Sequence, residues 1–318
     1  MISSGKASCR RPNSRLALLS FVLTATLASC DTSDRMSPSS EAAESPNFAG
    51  SAIAPGIMFA SSGLSPSQLN SVHTGTVSGV SPSGMLSYLS QVRAKGGRVL
   101  LRLHGDARVR NDDNTFNLAK WKTEIARFRN IDFRSYINDG TIVAHHMIDE
   151  PHFPSRWGGK TIPQATVEAM AQYSKQLYPT LITAAGAPST WLASVPTTYT
   201  HLDAAWSTYF SNMGSNYTLW AARQVTAAKS KGLGLVGGLN VLNGGNGSSG
   251  IRGTEPRRWT MSASELRSYG SAILAQSHVC AFFMWRYQAT YYDRADIKKA
   301  MSELSLKARN HARTSCRQ

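Results

Sequence analysis

The sequence predicts one α/β domain, a single (β/α)8 barrel of parallel strands. Three observations lead there. From residue 55 to residue 318 the chain alternates short apolar runs with amphipathic stretches of helical spacing. The apolar runs number eight, and the segment has the size of one such barrel, about 250 residues. No Pro/Ser-rich linker interrupts it, so nothing marks a division into two domains. An open doubly wound sheet is the second reading of the same alternation.

The elements follow in order. Residues 54–60 (APGIMFA) read as the first strand and 73–79 as a short second one. Residues 83–95 carry Met85, Leu86, Leu89 and Val92 at helical spacing, with Ser81 or Ser83 as the cap and Gly96-Gly97 as the stop. Residues 98–104 (RVLLRLH) are the third strand, and 116–128 the next helix. The fourth strand starts after the Asp139-Gly140 turn and ends on Asp149, Glu150 and Pro151. Pro151 donates nothing to a ladder and biases Glu150 towards extended geometry.

A helix over 162–178 accepts Pro163 in its first turn. Residues 181–186 form the fifth strand, 191–195 a single helical turn, and 201–210 the sixth strand. A helix over 217–231 stops at Gly232, and 233–242 is the seventh strand. Gly232, Gly234 and Gly237 match a dinucleotide fingerprint in letters. They follow a helix and lie in a strand, the reverse of what pyrophosphate binding needs, so tight packing is the reading kept. Ser262 with Glu265 has capping-box spacing for a helix over 262–276. Residues 279–287 form the eighth strand and 294–309 the closing helix.

The segment ahead of the barrel is of a different kind. Lys6, Arg10, Arg11 and Arg15 precede an uncharged apolar run over 16–27, the pattern of an export signal over 1–29, and the run is too short to span a bilayer. Leu27-Ala28-Ser29-Cys30 resembles a bacterial lipobox, which implies cleavage before Cys30 and lipidation of that cysteine. Residues 30–54, rich in Ser, Pro, Ala and acids, bury nothing and read as a disordered tether. The expected location is therefore a bacterial membrane surface, on the periplasmic face or outside the cell, reached through the lipid.

The formal charge is +15, and +11 without the four cations of the signal. The Lys and Arg residues are scattered and not interleaved with aromatics, and an exported chain meets little nucleic acid, so nucleic acid is not an expected partner. Cys280 opens the eighth strand at the bottom of the barrel, and the closing helix returns Cys316 to the same end. A disulfide between them is geometrically reasonable, with a buried thiol and a free tail cysteine as the alternative.

Chemistry in such a barrel sits where the strand C-termini converge. The third strand brings Arg102, His104 and Asp106, and the fourth Asp149 and Glu150. The sixth brings Trp206 and Tyr209, the seventh Asn240 and Asn243, and the eighth Trp285, Arg286 and Tyr287. Trp206 reads as core packing, Tyr209 and Trp285 as candidate sugar platforms. Carboxylates with Arg, His, Asn and aromatic rings suit a sugar, because a protonated acid is needed to expel an alkoxide. His145, His146, Asp149, Glu150 and His152 also suggest a metal, but strict alternation puts His146, Ile148 and Glu150 on one face and His145 and Asp149 on the other, with His146 deep in the barrel. No metal and no cofactor is expected.

Asp149-Glu150-Pro151 at the end of a fourth strand resembles the Asn-Glu-Pro of clan A glycoside hydrolases, which are TIM barrels. The resemblance implies hydrolysis of O-glycosidic bonds, with Glu150 as acid/base, Asp149 beside it, and Arg102, His104, Asp106, Tyr209, Asn240 and Trp285 around the sugar. The chain departs from that pattern at the seventh strand, which has no acid. Three readings follow: a substrate-assisted reaction using an Asp-Glu pair; a second carboxylate from Asp106, Glu255 or Asp293; or a non-catalytic surface lipoprotein that binds glycan. Carbohydrate is the expected partner and a monomer the expected state.

Overall fold

The computed structural model describes residues 52–312 and 315–317. The export signal, Cys30 and the tether as far as residue 51 lie outside these residues, while Ala54, the last residue assigned to the tether, is bonded to the barrel: its N–H donates to Gly96 O (3.2 Å) and its O accepts from Arg98 Nη2 (2.7 Å). Eight parallel strands close into a barrel in chain order: β1 (Met58–Ser62), β2 (Gly75–Ser78), β3 (Arg98–Leu101), β4 (Ile142–Asp149), β5 (Thr183–Gly186), β6 (Ala204–Tyr209), β7 (Gly234–Asn240) and β8 (Val279–Trp285). Closure is made by β1 on β8, with Met58 beside Ala281 and Ser61 beside Met284. The doubly wound alternative is thereby ruled out.

The connecting helices are α1 (Met85–Ala94), α2 (Leu118–Ala126), α3 (Arg134–Asn138), α4 (Gln164–Leu177), α5 (Ser189–Leu192), α6 (Tyr217–Ser230), α7 (Ala263–Leu274), α8 (Ala289–Tyr292) and α9 (Ala295–Arg309). The short α3 and α8 carry too few apolar residues to show a period. Asn117 and Asn216 cap α2 and α6 through their side chains, and Ser262 with Glu265 forms the capping box of α7. The α1 start differs from expectation. Pro82 opens a 3-10 turn (Pro82–Gly84), so Gly84 is the cap and Ser81 and Ser83 bond each other instead.

The core has two layers, as period two requires. Inside the barrel, Met58, Leu100, Val236 and Phe283 pack with alanines from β1, β4, β5, β6 and β8. Outside it, the alternate residues meet the helices. The β7 glycines serve packing: a Cβ on Gly237 would lie 2.3 Å from Ile273 of α7. At the bottom, Cys280 and Cys316 form a disulfide with Cα atoms 5.0 Å apart.

Candidate active site

A cavity of about 440 Å³ opens at the C-terminal ends of the strands. Of the residues picked from sequence, Arg102, Asp149, Glu150, Asn240 and Trp285 line it. Glu150 leaves β4 with φ +51°, not extended as Pro151 alone would dictate. Three hydrogen bonds overrule the local preference: Glu150 N–H donates to Gly186 O (2.8 Å), and Glu150 O accepts from Trp157 Nε1 (3.0 Å) and Phe153 N (3.1 Å). A bulky residue in this region costs about 1–3 kcal/mol, and such strain concentrates at functional sites.

Strict alternation fails in β4. Its register on β5 slips between His146 and Ile148. One residue is absorbed there, so His146, Asp149 and Glu150 all line the cavity, while Met147 and Ile148 join the outer core. His145 turns outward, with Nδ1 2.8 Å from Ser174 Oγ of α4. The structure therefore does not gather the histidines of this stretch around one metal, and it places His146 at the cavity instead of far below it. Gly186 makes the arrangement possible. A Cβ there would lie 2.7 Å from Asp149 Oδ1 and 2.9 Å from His146 Nε2.

The group that ties the acids together is Arg156, in a 3-10 turn (Pro154–Arg156) after β4. Its Nη1 lies 2.8 Å from Glu150 Oε2, and its Nη2 lies 3.0 Å from Asp149 Oδ2 and 2.6 Å from Asp106 Oδ2. Asp106 also pairs with Arg102. Burial pushes the Asp106 carboxyl up, but Arg102 and Arg156 outweigh it and hold it below the ordinary value. Asp106 is thus a permanent counter-ion that positions two arginines.

Glu150 and Asp149 are shifted the other way. Burial raises Glu150, the neighbouring Asp149 charge adds to it, Arg156 opposes both, and Glu255 adds a further upward push. Burial likewise raises Asp149 against the pull of Arg156 and Arg102. A carboxyl whose pKa is raised is shifted in the direction that a general acid needs.

Glu255 reaches the cavity from the long connection between β7 and α7. Asn243 puts it there: its Oδ1 accepts from Thr254 N (2.8 Å) and Glu255 N (3.0 Å), and its own N–H donates to Asn240 Oδ1 (3.0 Å). Glu265 pins the same loop by accepting from Asn246 N (2.7 Å) and Ser248 Oγ (2.9 Å). Of the three acids weighed as a second carboxylate, Asp106 is held by arginines and Asp293 pairs with Lys298 3.1 Å away, which leaves Glu255.

Three sequence assignments are corrected, those of Tyr209, Trp206 and His104. Tyr209 points away from the cavity. It is 1% exposed, packs against Trp220 and Tyr269, and donates to Gly214 O at 2.6 Å. Counting by twos along β6 puts Trp206, Thr208 and Phe210 on the inner face, and all three line the cavity, so Trp206 is a site residue. His104 is fully buried beside Trp121 of α2, because β3 ends at Leu101 and the chain turns under that helix. Its Nε2 is 3.9 Å from Asp106 Oδ1, and burial with Arg102 lowers its pKa to about 3. At that distance it makes no hydrogen bond to Asp106, and it is not among the residues that line the cavity.

No protein-family model matches the chain, and no curated protein is significantly similar to it. Solved structures do resemble it. The endo-1,4-β-mannanase of Rhizomucor miehei aligns at TM-score 0.52 and 8% identity, over 80% of this chain and 96% of that one. The endocellulase of Pyrococcus horikoshii, solved with cellotetraose, aligns at TM-score 0.50 and 11% identity, over 76% and 85%. A family 5 mannosidase of R. miehei gives 0.50 and 9%, over 75% and 84%. At these identities the likeness establishes the (β/α)8 fold.

Proposed function

We propose that the chain hydrolyses O-glycosidic bonds at the mouth of its barrel. The observation that carries this is Glu150: a carboxyl at the end of β4, in strained backbone, raised by burial and by Asp149, with Glu255 on the same cavity. The fold neighbours above, which act on mannan or cellulose or hold cellotetraose, add support from architecture alone.

Glu150 gives its proton to the glycosidic oxygen as the C–O bond breaks, so the leaving group departs as an alcohol. Glu255 supplies the second carboxylate. A carboxyl separation of about 5–5.5 Å in the substrate complex makes it the nucleophile, and about 6.5–9.5 Å makes it the base for water. Asp149 stays beside Glu150 as the charge that keeps the proton on it. Arg156 and Arg102 hold the acids in place, and Trp285, at the end of β8, offers a face for a sugar ring.

The test is product release from a panel of glycans and aryl glycosides, including N-acetylhexosaminides, by the wild type and by Glu150→Gln. The expected result is hydrolysis of one class by the wild type and its loss in the variant with circular dichroism unchanged. Glycan binding without cleavage would instead favour the binding-lipoprotein reading.

The proposed setting is a bacterial membrane surface, with Cys30 carrying the lipid. Its support is the export-signal composition and the lipobox-like Leu27-Ala28-Ser29-Cys30. Metabolic labelling with a fatty acid, present in the wild type and absent in Cys30→Ala, is the expected outcome.

A further inference from the structure

The floor of the cavity holds polar atoms that the protein leaves unanswered. Trp206 is 6% exposed and His146 3%, and both line the cavity. Trp206 Nε1 and His146 Nε2 are buried without a hydrogen-bond partner. The two rings are 4.6 Å apart, and Phe283 packs edge-on against Trp206 at 4.2 Å. A buried indole N–H without a partner costs about 1–3 kcal/mol, so a fold keeps one where something else will accept it.

Two glycines keep this floor open. A Cβ on Gly238 of β7 would lie 3.0 Å from Trp206 Nε1 and 3.0 Å from Thr208 Oγ1. Gly186 of β5 does the same for His146 Nε2 and Asp149 Oδ1. Asp149 Oδ1 lies 3.9 Å from His146 Nε2, too far for a direct bond between them. The floor therefore offers an indole donor, a carboxyl oxygen, an imidazole nitrogen and two aromatic walls.

The charge of the floor limits what enters. Burial, with Arg102, lowers the His146 pKa to about 3, so the ring is neutral at ordinary pH. The charged neighbours are Asp149, Asp106, Arg102 and Arg156, and both arginines are already paired with acids, Arg102 with Asp106 and Arg156 with Asp106, Asp149 and Glu150, so an anionic substituent would meet no unpaired cation there.

We infer that Trp206, His146 and Asp149 form a specificity subsite for an uncharged sugar substituent that both accepts and donates a hydrogen bond, either a hydroxyl or an acetamido group. The substituent accepts from Trp206 Nε1 and donates to Asp149 or His146, while the aromatic walls cover the C–H face beside it. Glucuronate and similar acidic sugars are excluded by the same atoms. The identity of the ligand as a sugar rests on the function proposed above; the subsite itself rests on the geometry of the floor.

The test reads the Trp206 indole N–H directly by 1H–15N NMR on the whole chain, assigned by its disappearance in Trp206→Phe. The probes are glucose, mannose, N-acetylglucosamine and glucuronate. The expected result is a saturable shift of the Trp206 signal with at least one neutral sugar and none with glucuronate. Glucose and N-acetylglucosamine distinguish the hydroxyl from the acetamido source. Trp206→Phe should weaken the binding at least fivefold, and Gly238→Ala, which crowds the N–H without removing it, should do likewise. A still Trp206 signal with all four probes, or an equal response to glucuronate, would overturn the inference. Because the readout is binding, sugar-induced shifts without hydrolysis would sink only the proposed reaction, and hydrolysis without shifts only this subsite.

Discussion

Arg156 Nη1 lies 2.8 Å from Oε2 of Glu150, so the residue assigned as the acid carries a cation on its carboxyl. That cation pulls against burial and Asp149, which raise the Glu150 pKa. Removing it lets the carboxyl rise further. A general acid works in its protonated form, so activity is lost as pH climbs through its pKa. Arg156→Gln should therefore move the alkaline limb of the kcat/KM profile up by about one pH unit or more. An unmoved limb would mean that another group sets it.

Gly186 is a second control point. A methyl there would lie 2.7 Å from Asp149 Oδ1 and 3.1 Å from Asp149 Cα. Gly186→Ala should displace Asp149 and lower kcat at least about tenfold, since misplacement by about 1 Å costs on the order of 100-fold. Circular dichroism should be unchanged. Wild-type activity in this variant would show that the position of Asp149 does not matter.

Asn243 holds the Glu255 segment through its bonds to Thr254 N and Glu255 N. Asn243→Ala should reduce kcat by about 10- to 100-fold. Asn243→Asp keeps the accepting oxygen and should recover part of the rate. Equal loss in both variants, with equal loss of thermal stability, would reduce Asn243 to a purely structural residue.

Acid should destabilise the domain above the range where carboxylates titrate. Burial pushes His104 and His146 down to about 3 from 6.5, and lowers His145 as well. Below pH 6.5 the unfolded chain takes up protons that the folded chain refuses, so stability falls as pH drops from about 6.5 towards 3. The slope is about 1.4 kcal/mol per pH unit for each such histidine. Asp149 and Glu150, raised in the folded state, oppose this, because there the folded chain takes the proton first. The histidines outnumber them, and the urea midpoint should fall between pH 7 and pH 5. A constant or rising midpoint would contradict the sign.

The barrel was legible because its strands are short apolar runs and its helices are periodic, and residue identity alone carries both signals. Ser262 with Glu265 and the Cys280–Cys316 pairing were readable for similar reasons, spacing in one case and strand direction in the other. The site was less legible. The slip in β4 is a matter of ladder register, which no residue in the stretch announces, and it reversed the facing of Ile148 and Asp149. Arg156 follows Pro154 in a turn without period, and only the fold brings it back across Asp106, Asp149 and Glu150. Tyr209 is different, because the alternation of β6 already separated it from Trp206 and Phe210.

The most direct measurement compares Glu150→Gln with the wild type on two glycosides of the same sugar, one with an alkyl and one with a 2,4-dinitrophenyl leaving group. A dinitrophenolate leaves without a proton, whereas an alkoxide needs one. If Glu150 is the proton donor, the variant should lose about 100- to 10,000-fold on the alkyl glycoside and far less on the dinitrophenyl one. Equal losses on both, or no loss on either, would contradict the assignment of Glu150 as the acid.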